Sequence, residues 1–271
     1  MSEGKAGRSF GHGPRRALAI HCSLAHAGAW RGVGEALADE LTLLAVDLPM
    51  HGRNLDLSGH GDIPAQATEL ALAQLSEPMD IIGHSFGAAI ALRLAVEHPD
   101  LVRSVTLIEP VYFAAAALDN PAGVADYEAQ NAPFEAALAA GDMMQAARLF
   151  NRAWGDGTKW DQIPEPTRQY MADRIHFVPA STAFIGHDSA GLLRAGMFER
   201  AAMPALLIEG SASPDMTDAI NTSLMRRLPN AQRVVIDGAG HMVPLTHPAA
   251  VAGAIHTFLR NVPESCQSVR G

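Results

Sequence analysis

The chain has 271 residues, 48% of them hydrophobic and 18% charged, which is enough apolar material for one large α/β domain with or without an insertion. Its formal net charge of −9 argues against nucleic acid or an anionic membrane surface as a partner. Two cysteines far apart, Cys22 and Cys266, no apolar leader and no run long enough to span a bilayer lead to the expectation of a soluble, cytoplasmic protein.

Residues 1–15 are polar and Gly-rich and read as a flexible leader, with at most one short edge strand. From Ala17 to Ser23 a buried strand is expected, followed by the loop "LAHAGAW" and a helix from Arg31. The run from Leu41 to Pro49 is the next strand; the turn "MHGRN" follows, then a helix starting near Ile63. "MDII", from Met79 to Ile82, is a short apolar strand that breaks at "GHSFG" and resumes as a helix, which Pro99 stops. A further strand, from Val102 to Val111, contains Glu109-Pro110 near its end. Residues 112–202 change to amphipathic helical segments rich in Ala, Met and aromatics, jointed by Gly and Pro. Strands then return at "PALLIEG" and "QRVVIDG", separated by the helix "MTDAINTSLMRRLP". The loop "AGHM", a closing helix from Pro248 and a loose tail over 263–271 complete the chain. Strands alternating with helices at this spacing call for a mostly parallel sheet flanked by helices. The expected division is a core of residues 16–111 and 203–262 with 112–202 inserted into it.

The turn at residues 83–87 is the chemical centre of the sequence. In G-x-S-x-G between a strand and a helix, the serine is forced into a strained backbone conformation at the tip of the turn, and its neighbours must lack bulk. Gly83 and Gly87 give that room, and the start of the following helix brings backbone N–H groups beside the Ser85 hydroxyl. Serine needs a base to act as a nucleophile. His241, in the Gly-flanked loop after the last strand, is the candidate. His21, His26 and His84 read as structural, and His247, before Pro248, as a residue that helps to start the closing helix.

This turn, with "HCSLAHAGAW", "DLPMHGR" and "GAGHMVPLTHP", resembles the α/β-hydrolase superfamily from about Ala17 to about Leu259. The resemblance implies the α/β-hydrolase fold, with a shortened N-terminal sheet edge and residues 112–202 as a helical cap. It also implies the order nucleophile, acid, histidine, and an oxyanion hole made by the backbone N–H groups of Phe86 and Ser23, with Leu24 as the alternative to Ser23. His21-Cys22 stands where the family usually has His-Gly, a change that a backbone donor tolerates if φ at Cys22 is negative. Met50 replaces another family glycine, in a loop to which no chemistry is assigned.

The acid departs from the family pattern: Ser213 occupies the position where an Asp usually follows the strand "LLIEG". Glu109 at the end of the preceding strand is favoured over Asp215, with Asp237 a third choice, because a strand end is held more rigidly than a loop. A serine nucleophile implies acyl transfer from an ester, thioester or lactone of a small-to-medium acyl substrate. A C–C bond hydrolase and a slow-turnover ligand receptor on the same fold are the alternatives. Met143, Met144, Phe150, Trp154, Trp160, Tyr170 and Phe177 are candidates to line an apolar pocket or to form the core of the insertion. No cofactor is expected, and no H-E-x-x-H or similar metal cluster occurs. The sequence leaves the oligomeric state open.

Overall fold

The computed structural model describes residues 7–54 and 61–263. The expectations for residues 1–6 and for the tail from 264, Cys266 included, fall outside the described residues. The strands are β1 (Gly7–Phe10), β2 (Arg15–Ile20), β3 (Leu41–Val46), β4 (Met79–His84), β5 (Val102–Ile108), β6 (Ala205–Gly210) and β7 (Ala231–Ile236). They form one sheet in the order β1-β3-β2-β4-β5-β6-β7. Only β1 is antiparallel to its neighbour, so the N-terminal edge is a single short strand. Part of the expected leader is therefore this edge strand, and β2 begins two residues earlier than read from the sequence.

The helices are α1 (Arg31–Ala36), α2 (Ile63–Leu72), α3 (Phe86–Glu97), α4 (Phe113–Asp119), α5 (Pro121–Ala139) and α6 (Met143–Trp154). They continue with α7 (Glu165–Arg174), α8 (Phe177–Ile185), α9 (Asp215–Arg227), α10 (Val243–Thr246) and α11 (Pro248–Leu259). Side chains alternate along each strand, so the sheet sends residues to two separate cores. Leu18 and Ile20 of β2 join α2, α3 and α9, whereas Ala17 and Ala19 join α1 and α11. None of the helices among the described residues is long and apolar enough to cross a membrane.

Helices α4–α8 all lie between β5 and β6 in sequence and reach over the loops that follow β2 and β3. The Tyr170 hydroxyl donates to the Ala25 carbonyl at 2.9 Å and accepts from the Gly52 N–H at 3.1 Å. Arg174 Nε donates to the Met50 carbonyl at 2.8 Å, and its guanidinium lies 3.8 Å from the Tyr170 ring centroid. The C-terminal half of α7 is thus tied to the loops at the ends of the parallel strands, which is where α/β sheets place their ligands.

Candidate active site

The sharp turn from β4 into α3 fixes Ser85. Its φ of 56° and ψ of −118° lie in a region that costs a non-glycine residue about 1–3 kcal/mol. A Cβ at Gly83 would come within 2.3 Å of the Gly87 carbonyl oxygen, and one at Gly87 within 2.2 Å of the Ile20 carbonyl oxygen. Only glycines let the helix fold back this closely on the strand. The Ser85 N–H donates to the Ile108 carbonyl at 2.9 Å, which locks the turn to β5.

His241 follows β7 and brings its ring over the turn. Its Nε2 stands 3.0 Å from Ser85 Oγ, and its Nδ1 stands 3.0 Å from Glu109 Oε2. The consistent proton arrangement has Nδ1–H donating to the carboxylate and Nε2 accepting from the serine hydroxyl. His84 Nε2–H donates to the His241 carbonyl at 2.9 Å and fixes the loop from beneath. Trp154 of α6 packs edge-on to the His241 ring, with centroids 4.6 Å apart.

Glu109 is fully buried and adopts a φ of 51°, directly after β5. Burial pushes its carboxyl up, but hydrogen bonds from His241, the Ser213 hydroxyl and the Gly210 N–H outweigh this and hold it below its ordinary value. Ser213 Oγ donates at 2.6 Å and Gly210 N–H at 2.7 Å, both to Oε1, and Thr217 Oγ1 donates to Oε2 at 3.2 Å. The serine that stands where an acid usually does is therefore a donor to the acid. Asp215 is exposed at the start of α9, and Asp237 is exposed and accepts from Ser211. Neither meets His241.

The backbone N–H groups of Ser23 and Phe86 have no protein acceptor among the described residues. The Leu24 N–H, the alternative to Ser23, is taken: it donates to His51 Nε2 at 3.0 Å, while His51 Nδ1–H donates to the Pro49 carbonyl. Cys22 is not among the residues with positive φ, which meets the condition for a side chain at that position; Leu24, at 62°, carries the left-handed turn instead. His21 makes the reciprocal pair of bonds, donating to the Cys22 carbonyl and accepting from the Leu48 N–H. His51, for which sequence reasoning had no role, thus shapes this loop. His26 accepts from Gly28 N–H, as a structural histidine would. His247 occupies the N-cap position of α11 without a side-chain capping bond, so it starts the helix through its backbone alone.

A cavity of about 320 Å³ opens between the loop after β2 and the inserted helices, lined by Ser23, Leu24, Phe150, Trp154, Met171 and Met242 among others. Of the seven aromatic and Met candidates, Phe150 and Trp154 line it. Trp160 and Phe177 are buried in core clusters, Met143 packs against one, and Met144 is exposed. Tyr170 joins the helices to the loops. A larger groove of about 900 Å³, between α1 and α11, contains none of the site residues. No group of three or more His, Cys, Asp or Glu among the described residues is arranged to hold a metal ion.

Residues 17–254 match the alpha/beta hydrolase family. The pimeloyl-[acyl-carrier protein] methyl ester esterase of Neisseria meningitidis serogroup A is 27% identical over 80% of this chain and 74% of its own. Lipase LipV of Mycobacterium tuberculosis is 28% identical, over 91% of this chain and 94% of its own. Among solved structures, a hydrolase from Pseudomonas aeruginosa superposes with a TM-score of 0.71 at 19% identity, covering 93% of both chains, which is a likeness of fold. With nearly its whole length matched, the chain belongs to the alpha/beta hydrolase family.

Proposed function

We propose that the protein is a serine hydrolase that cleaves an ester, thioester or lactone of a small-to-medium acyl substrate through an acyl-enzyme on Ser85. The observation that carries this reading is His241, hydrogen-bonded at once to Ser85 Oγ and to the buried carboxylate of Glu109. Relatives named as esterase and lipase support the same reaction class.

In this reading Ser85 Oγ attacks the carbonyl carbon while His241 Nε2 takes its proton. Glu109 holds the Nδ1–H tautomer and stabilises the imidazolium that forms. Oxygen charge in the tetrahedral intermediate develops against the Phe86 and Ser23 N–H groups, where each donor is worth about 10²–10³ in kcat. His241 then returns the proton to the leaving alcohol or thiol, and a water repeats the sequence to release the acid. Helices from residues 112–202 act as the cap, and the cavity beside Trp154 and Met242 receives the acyl chain. A cytoplasmic location belongs to this proposal and is supported by Cys22, a buried free thiol. A slow-turnover receptor would carry the same three residues, and the steady-state turnover number separates it from the enzyme.

The test is covalent trapping. A fluorophosphonate should add one label to the wild-type protein, mapped by peptide mass spectrometry to Ser85 and absent from Ser85→Ala. Labelling elsewhere, or none, would remove Ser85 as the nucleophile.

A further inference from the structure

The residues proposed for catalysis are covered. Ser85 is 7% exposed and His241 4%, and neither lines the cavity of about 320 Å³ beside them. Ser23 and Met242, in the loops after β2 and β7, do line it. What lies between is the indole of Trp154. It lines the cavity, and it packs edge-on against the His241 ring with centroids 4.6 Å apart.

The sequence places this indole at the end of an inserted helix. Ala146 and Ala147 of α6 pack with Phe134, Trp160, Ala172 and Ile175, whereas Trp154, its last residue, joins the cluster built around α3 and β4. The chain then runs through Gly155, Asp156 and Gly157, and Gly157 has a φ of 89° with open space where a Cβ would stand. The indole also meets a second aromatic surface. Phe113 and Tyr127 stack with ring centroids 4.9 Å apart, and the Trp154 centroid lies 6.2 Å and 6.0 Å from theirs. One edge-on ring pair shifts an equilibrium by about tenfold at most. The seat on His241 can therefore be given up to a ligand that buries apolar surface.

The cavity has the lining for an aliphatic chain. Leu24, Phe150, Ile163, Met171 and Met242 are apolar, and exposed Asp156 is the one charged residue in it. We propose that Trp154 is a specificity-determining residue: a long, uncharged acyl chain on Ser85 extends into the cavity only by displacing the indole from His241, and a short one leaves it seated. The inference rests on the serine-hydrolase reading and adds which acyl groups the site takes. Each buried methylene contributes about fourfold to an equilibrium, so about two of them in the cavity offset the ring contact.

p-Nitrophenyl alkylphosphonates read the displacement without turnover. Attack by Ser85 Oγ on phosphorus releases p-nitrophenolate and leaves the alkyl chain on the serine, with methyl and octyl as the two lengths. The emission of Trp154, taken as wild type minus Trp154→Phe, should change in the octyl adduct and stay constant in the methyl adduct. A second reading comes from esters. In Trp154→Ala the ratio of kcat/KM for p-nitrophenyl octanoate to that for the acetate should rise about tenfold, because no ring contact has to be broken. A tryptophan that only fills the core would lower both esters together. Equal emission changes with both chains, no change with either, or an unaltered ester ratio would overturn the inference. Failure of the serine-hydrolase reading registers separately, as no adduct at Ser85 with either phosphonate, and would take the inference with it.

Discussion

In the proposed triad, Ser213 and Glu109 divide between them the work of the family's usual aspartate. The serine supplies a hydroxyl donor at 2.6 Å, and the glutamate supplies the charge that faces His241. Removing the donor in Ser213→Ala should raise the Glu109 pKa, because one of the bonds that favours the ionised form is lost. The expected outcome is a severalfold lower kcat with KM little changed, and an acidic limb of the pH–rate profile that moves up. An unchanged profile would mean that Ser213 only fills space. Ser85 and His241 were legible from their Gly-flanked turns, and Glu109 from its place at the end of a strand. Thr217 and His51 were not. Each reaches its partner across a separation that no local pattern encodes; Thr217 meets Glu109 from 108 residues away.

The loops after β2 and β3 act as one element. His51, from the second, accepts the Leu24 N–H of the first, and Phe177 of α8 packs edge-on against both His51 and Phe86. The two N–H groups proposed for the oxyanion are therefore held by the same packed group of rings. His51→Ala should leave the Leu24 N–H without its acceptor and let the loop carrying Ser23 relax. We expect kcat to fall by about 10–10², up to the loss of one oxyanion donor, with partial recovery in His51→Gln, whose amide oxygen can accept. Loss of affinity with kcat retained would assign His51 to substrate binding instead. Strand ends were the less legible part of these elements. The apolar run from Leu41 continues to Pro49, but β3 stops at Val46. The reason is Asp47, whose carboxylate turns to accept the Ala27 and Arg53 N–H groups and so ends the ladder.

At the scale of the whole molecule, the order of strands and helices followed from hydrophobic patterning, whereas the path of the inserted helices did not. Those helices meet the core through Ala114, Ala115, Ala116, Trp154, Phe177 and Phe184 as well as through polar residues such as Tyr170 and Arg174, contacts that local patterning does not pair. The same interior sets the acid stability. Burial pushes His51 down to about 4 and His84 down to about 3, and both are neutral when folded near neutral pH. Between pH 6.5 and about 4 the unfolded chain binds a proton at His51 that the folded chain does not. Stability should therefore be highest above pH 6.5 and fall as pH drops through this window, by about 3 kcal/mol for His51 alone. Glu109 and Asp80, both held below their ordinary values, add to the loss only at more acid pH. Thermal melting between pH 7.5 and 4.5 checks this: Tm should decline steadily below pH 6.5, and a flat Tm would contradict it.

The most direct measurement is pre-steady-state and steady-state hydrolysis of a short-to-medium p-nitrophenyl ester series by wild type, Ser85→Ala, Glu109→Gln and Asp215→Asn. We expect a burst and turnover from wild type, neither from Ser85→Ala, a loss of up to about 10⁴ in kcat from Glu109→Gln, and near-normal rates from Asp215→Asn. Full activity in Glu109→Gln, or a wild type inert on every chain length, would contradict the account.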